Sequence, residues 1–317
     1  MVRENQKKVL KKRAFNFLVN PLSFVLCGLL IAALVWNYSQ SETTLLKYQD
    51  QQGTTHTLNL SVRDRTRLTG LMQKLFAQGS FAYPLLGTKP LSWETYQNPF
   101  PLSSWTNFYD AFSEHSRTLR YGWQTWEKYQ HLFPSAPLWI ESPECYPGAI
   151  SIFIVNQDYF NNVVKQNKEE FETVLGREIK DGSQLLEEAK NHSLTSEVLQ
   201  GHQGLIGTVL GYGRNNSWKF LEGCENRMAI GCVWGEEEES VFAEEVTSSD
   251  IPLTEYYLSL YSCPSFAGDA DSEESLALKK EYILTRLRVL DYYKEKDFLE
   301  ATLSLLAGYR LPNHSKE

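Results

Sequence analysis

The sequence lacks the short motifs that identify many enzymes and metalloproteins. Its 317 residues contain no Cys-x-x-Cys pair, no His-x-x-x-His spacing, no Gly-x-Ser-x-Gly elbow and no Ser-x-x-Lys motif. Such motifs place a nucleophile beside its base, or two metal ligands on one face of an element. The sequence therefore predicts no catalytic residue, no metal site and no cofactor.

Clustered positive charge is also missing after residue 13. The formal net charge is −8, and residues 1–13 carry six Lys or Arg against one Glu. Residues 14–36 are uncharged, so residues 37–317 carry the difference, −13. Binding to nucleic acid or to anionic lipid headgroups needs clustered cations. The composition therefore argues against nucleic acid as a partner.

The N-terminus has the pattern of a segment that enters a membrane. A basic stretch, residues 1–13, precedes an uncharged apolar run, residues 14–36, which ends near the interfacial aromatics Trp36 and Tyr38. As a helix this run would be roughly 34 Å long, enough to span a bilayer. Basic residues stay in the cytoplasm. This predicts a single-pass bacterial inner-membrane protein with a cytoplasmic N-terminus and an exported C-terminal domain.

A cleaved signal is the alternative to this anchor. If a helix starts at Pro21 after Asn20, its apolar core is short, and 39–41 (Ser-Gln-Ser) offers a weak cleavage site. The protein would then be secreted. We favour the uncleaved anchor.

Beyond the membrane segment, the sequence divides into a stalk and a folded domain. Residues 37–60 are polar and are predicted to be the stalk, and residues 61–317 form the exported domain. Prolines concentrate at 134–148, where a boundary would make 60–133 a helical subdomain.

Periodicity in 61–317 predicts a mixture of helices and strands. Apolar residues recur at helical spacing in 62–78, and 149–155 is an apolar, β-branched run typical of a strand. Further strands are predicted at 227–234 and 255–262, and helices at 274–293 and 297–306. The predicted fold class is α+β: a helix-rich exported domain around a small antiparallel sheet, preceded by one N-terminal transmembrane helix.

Four of the five cysteines lie beyond the membrane segment. An even number in an exported domain permits two disulfides, with three pairings. Four buried free thiols are the alternative. The residues concerned are Cys145, Cys224, Cys232 and Cys263.

A glycine-rich segment, residues 201–216, admits two interpretations. Gly211 and Gly213 follow an apolar run as in a dinucleotide-binding loop, but Asn216 stands where the third glycine belongs. The preferred interpretation is a buried helix with close-packed glycines, ended by Gly213, with Asn215 or Asn216 capping the next helix. Polar residues that are candidates for binding are His202, Arg214 and Asn215.

The aromatic residues of 81–139 also admit two interpretations. Trp123 and Trp126 are candidates for a groove that stacks on glycan or peptide. Their helical spacing favours the hydrophobic core instead.

One resemblance rests on 149–220. The apolar strand, the Phe-Asn-Asn-Val-Val helix at 160–164 and the glycine-rich segment continuing to Trp218 resemble uncharacterised proteins of chlamydia-like intracellular bacteria. The resemblance implies a bacterial inner-membrane or exported location and carries no activity and no site residue.

These observations lead to two functional hypotheses. The first is a non-enzymatic, single-pass envelope protein whose acidic exported domain binds a protein or an envelope component. The alternative is an envelope hydrolase with a carboxylate pair and an aromatic groove. The sequence leaves the oligomeric state open.

Overall fold

The computed structural model describes residues 42–99, 105–133, 138–144, 148–226, 266–269 and 271–308, together with residues 25, 27–30 and 264. The chain divides into two compact units. One contains Met1–Leu46 and Leu58–Thr66, and the other contains Lys47–Thr57 and Arg67–Glu317.

Of the predicted membrane segment, only a few positions are described, and Val25 and 27–30 are helical. Within the described ranges, no helix combines the length and the apolar character needed to cross a membrane. Most of 14–36 lies outside those ranges.

The predicted stalk contains a β-hairpin. Strands β1 (Thr43–Gln49) and β2 (Thr55–Ser61) form a two-stranded sheet. Leu46 and Tyr48 of β1 are buried with the exposed Lys47 between them, and Leu58 and Leu60 of β2 are buried with the exposed Asn59 between them. This two-residue period is the signal of a half-buried strand, and it is easily overlooked in a segment that is polar on average.

A second, three-stranded sheet is antiparallel, in agreement with the predicted class. It comprises β3 (Leu91–Gln97), β4 (Leu138–Pro143) and β5 (Ala149–Val155), in the order β3-β5-β4. The central strand β5 is the one predicted, and its last five residues are buried because it has a neighbour on each edge and covered faces.

Helices make up most of the rest, so the helix-rich α+β prediction is confirmed for the described ranges. The predicted helix at 62–78 is present as α1 followed by a π-helical turn at Gln73–Gln78. The α-helices of these ranges are α1 (Val62–Met72), α2 (Tyr83–Leu86), α3 (Trp105–Phe112), α4 (Glu114–Tyr129), α5 (Gln157–Gln166), α6 (Lys168–Leu175), α7 (Gly182–Glu188), α8 (Gln203–Val209), α9 (Arg214–Asn226), α10 (Glu273–Tyr293) and α11 (Phe298–Leu306).

Side-chain caps set several helix starts. The side chains of Asn156, Asp181, Ser272 and Asp297 accept a hydrogen bond from a backbone N–H three residues later, starting α5, α7, α10 and α11. The two C-terminal helices are thereby confirmed. The strands predicted at 227–234 and 255–262 lie outside the described residues.

The main hydrophobic core joins β5 to helices α5 to α8. Phe153 and Val155 of β5 pack with Phe160 of α5, Phe171 of α6 and Leu205 of α8, all fully or almost fully buried. The chain from β5 to α8 is therefore one packed body, and it carries the candidate site at its C-terminal end.

Candidate functional site

The glycine-rich segment is helical over Gln203–Val209, as its structural interpretation predicts, but the helix ends before Gly211, which has a φ of +81°, and not at Gly213. Helix α8 is buried along most of its length. A Cβ on Gly204 would lie 2.6 Å from the Trp218 ring, and one on Gly207 would lie 2.6 Å from Ser217 Oγ. Both glycines thus allow α8 and α9 to approach closely, and the dinucleotide-loop interpretation is wrong.

The N-terminus of α9 is occupied by a carboxylate of the same chain. Gly213 has a φ of +86°, a conformation that glycine adopts without strain. The backbone N–H groups of Asn215 and Asn216 donate to the two carboxylate oxygens of Glu274, at 3.2 and 2.9 Å. A helix N-terminus attracts anions, and here Glu274 fills the place that a phosphate takes in a nucleotide-binding loop.

The cap predicted for α9 is therefore corrected. Asn215 and Asn216 belong to the first turn of the helix rather than to its N-cap. The capping group is Glu274, which is distant in sequence and invisible to a local motif.

Two predicted binding residues lie against one indole ring. The His202 ring centroid is 5.4 Å from that of Trp218, and the Arg214 guanidinium is 5.3 Å from it. His202 Nδ1 also accepts a hydrogen bond from Leu205 N, which caps α8. Arg214 Nε donates to Glu170 of α6 at 2.7 Å. The tertiary structure brings His202, Arg214 and Asn215 into one cluster. The contacts described for them cap helices or join α9 to α6 and α10.

The other two predicted binding residues are in the core. Trp123 is 4 % exposed and Trp126 is fully buried, and both lie on α4. Trp126 packs on Phe133, with ring centroids 5.3 Å apart. Their burial agrees with the core interpretation that their helical spacing favours, and it leaves neither ring open to a stacking ligand.

A small apolar pocket opens between α8 and α9, and we call it the α8–α9 pocket. Its volume is about 160 Å³. Gly207 lies in its wall, and its polar side chains are Gln203 and Ser217. Its apolar lining consists of Ile206, Leu210, Tyr212, Phe220 and Ala267. A pocket of this size and lining suits one apolar side chain.

A buried lysine supports one wall of this pocket. Lys89 is 2 % exposed, and its Nζ donates to Leu91 O at 2.6 Å and to Leu210 O at 2.7 Å. Burial lowers the pKa of Lys89 to about 7. The Nζ atom lies 5.4 Å from the centre of the Tyr212 ring, and Phe266 stacks on that ring. Burial raises the pKa of Tyr212.

A second buried polar cluster surrounds Glu144 at the end of β4. Its carboxylate accepts hydrogen bonds from the hydroxyls of Ser193 at 3.2 Å and Thr195 at 2.9 Å. Both hydroxyl residues are buried, and Glu144 is half-buried. The cluster ties β4 to the π-helical turn Leu194–Val198. Sequence reasoning missed both Lys89 and Glu144, because neither belongs to a local motif.

A larger polar groove, of about 570 Å³, lies between β1 and the α10–α11 turn. Two of its charged side chains make contacts within the protein. Glu300 accepts from Lys47 N at 2.9 Å, and Lys296 Nζ lies 4.0 Å from the Tyr292 ring centre. Burial lowers the pKa of Lys296 against the opposing effect of Asp291.

The cysteine prediction remains untested. Cys145, Cys232 and Cys263 lie outside the described residues, as does the side chain of Cys224 on α9. Cys27 is exposed and has a free thiol. Among the described side chains, no three His, Cys, Asp or Glu residues are grouped so that they could hold a metal ion.

The chain matches no model of a known protein family, no curated protein sequence and no solved structure.

Proposed function

We propose that this chain is a single-pass bacterial envelope protein whose acidic exported domain binds a protein partner and performs no catalysis. The α8–α9 pocket is the proposed contact, and it carries the proposal. The inner-membrane location rests on the basic and apolar N-terminal segments, and it agrees with the resemblance to proteins of chlamydia-like bacteria.

The pocket defines the chemistry of the partner. Its walls are mostly apolar, and its two polar side chains, Gln203 and Ser217, lie among them. Small, well-formed apolar pockets that accept one anchoring side chain are typical of protein recognition. The −13 charge of residues 37–317 favours a partner with Lys or Arg near that anchor.

The hydrolase hypothesis loses the observation that motivated it. It required Trp123 and Trp126 to line an open groove, and both rings are buried. We therefore do not propose a catalytic function.

The location is tested with a reporter that is active only outside the cytoplasm, fused after Glu317. Full-length chain in the membrane fraction, with an active reporter, is the expected result. A soluble chain shortened by about 41 residues would indicate signal cleavage. An inactive reporter would refute export.

The binding site is tested with the full chain in lipid nanodiscs and a random peptide library displayed on phage. We expect enrichment of peptides that carry one large apolar residue beside Lys or Arg. Ala267→Phe, which fills the pocket, should abolish their capture. Gln124→Trp, an exposed substitution on α4, is the control and should leave capture unchanged. Equal capture by the Ala267→Phe chain would refute this site.

A further inference from the structure

Helix α10 has an unusual distribution of side chains between its two faces. Its buried residues include the polar Ser275, Lys279 and Thr285. Its solvent face, by contrast, carries Leu276, Leu284 and Leu287, which are 54 %, 41 % and 42 % exposed. Three exposed leucines on one helix face are more than the scattered apolar residues of a normal surface, and such patches mark contact sites.

Two exposed charges of opposite sign flank two of these leucines, Leu284 and Leu287. Lys280 and Asp291 lie on the same face of α10 as Leu284 and Leu287, because their spacings of 3, 4, 7 and 11 residues follow the helical repeat. Read in reverse, the central part of this face, from Lys280 to Asp291, is its own complement at these four positions, and Leu276 lies outside it. In an antiparallel pair centred between residues 285 and 286, Leu284 opposes Leu287 of the other helix, and Lys280 opposes Asp291.

We propose that a second copy of this chain packs antiparallel on the solvent face of α10, forming a two-fold symmetric dimer. Each leucine contact and each ion pair then occurs twice, as a two-fold interface requires. The charges also select the register. Pairing Leu276 with Leu284 instead would place Lys280 against Lys280 of the second copy. This interface is separate from the α8–α9 pocket and independent of what binds there.

The charges provide the first test, on the full chain in detergent micelles, with the dimer dissociation constant measured by analytical ultracentrifugation. Lys280→Asp places two carboxylates opposite each other at both symmetric positions. It should raise the dissociation constant about tenfold or more. The double variant Lys280→Asp/Asp291→Lys restores the pairs and should recover wild-type association.

The matched control is Lys180→Asp, which reverses an exposed charge between α6 and α7 and should leave association unchanged. Circular dichroism melting curves verify that each variant folds. A monomeric wild-type chain, a dissociation constant insensitive to Lys280→Asp, or a double variant that fails to recover would each overturn the proposal.

A photo-cross-linker provides the second test and identifies the contact directly. Full chains that carry the substitution Leu287→p-benzoylphenylalanine are prepared in isotopically light and heavy forms, mixed and irradiated. The expected adduct joins position 287 of one isotope to the peptide containing Leu284 of the other. Adducts at another surface of the second copy would refute the α10 interface. When the same variant is irradiated in native membranes, adducts that form only with a different protein would refute it as well.

Discussion

At the scale of single residues, Lys89 is the most informative side chain. A lysine inside a protein loses its hydration, and Lys89 compensates by donating to two backbone carbonyls, one in the first residue of β3 and one at the end of α8. It therefore joins two segments that are 121 residues apart. Desolvation still disfavours its charged form, which is why its pKa falls.

The lowered pKa predicts how stability depends on pH. The pKa is 10.5 in the unfolded chain and about 7 in the folded one, so the unfolded chain binds more protons between these values. The contribution of neutral Lys89 to the free energy of unfolding is therefore fully present above the unfolded pKa. It decreases as pH falls below that value and is lost as pH falls through the folded pKa. From pH 7 to pH 9 this group should add about 2 kcal/mol to the free energy of unfolding.

Urea denaturation of wild type and Lys89→Met at the two pH values measures this. The methionine of Lys89→Met cannot titrate. The free energy of unfolding of wild type, relative to that of Lys89→Met, should therefore be about 2 kcal/mol higher at pH 9 than at pH 7. Parallel pH dependence of the two would contradict the prediction.

At the scale of elements, helix ends and helix contacts depend on residues far apart in sequence. Glu274, in the first turn of α10, supplies the acceptors for the first N–H groups of α9. One carboxylate thus links the starts of two helices.

Removing the charge of Glu274 should destabilise the protein. We expect Glu274→Gln to lower the free energy of unfolding by about 1 kcal/mol, because the amide keeps one acceptor and loses the favourable interaction with the helix dipole. Glu273→Gln removes an exposed charge one residue earlier and should change stability by less than about 0.5 kcal/mol. Equal effects in chemical denaturation would show that Glu274 is not the cap.

The α8–α9 contact is limited by the size of residue 207. Gly207→Ala places a methyl group 2.6 Å from Ser217 Oγ and 3.0 Å from its Cβ. Overpacking of this kind costs about 1–3 kcal/mol, partly offset by the higher helix propensity of alanine. We expect a net loss near 1 kcal/mol.

A double-mutant cycle isolates this contact. Ser217→Ala removes the nearer atom, so the combined variant should lose less stability than the sum of the two single variants. Strict additivity would mean that the helices move apart without strain.

At the scale of the whole molecule, the charge distribution predicts orientation in a membrane. Six cations precede the apolar run, and the remainder of the chain is strongly acidic. Replacing the four lysines at positions 7, 8, 11 and 12 by glutamate should greatly lower the activity of the exported reporter, since cytoplasmic retention of basic residues sets the orientation. Unchanged activity would refute this basis for the topology.

Elements with a strong local pattern could be predicted from the sequence. Strand β5 and helices α10 and α11 agree with prediction because their apolar spacing and their caps, such as Asp297, are local. The average polarity of 37–60 predicts a stalk and conceals the β1–β2 hairpin, because the few apolar residues of the two strands lie among many polar ones. The candidate site was recovered only in part: His202, Arg214 and Asn215 do meet, whereas the pocket beside them depends on Ala267, distant in sequence.

Local sequence patterns specify the helix-rich class, the position of the central strand, the helix in the glycine-rich segment, the core position of Trp126 and the acidic character of the chain beyond residue 36. Periodicity, caps and charge are properties of neighbouring residues. The tertiary packing, by contrast, establishes that Glu274 caps α9, that Lys89 is buried and that leucines of α10 face solvent. Each of these depends on which distant segments pack against a residue, and no local pattern encodes that.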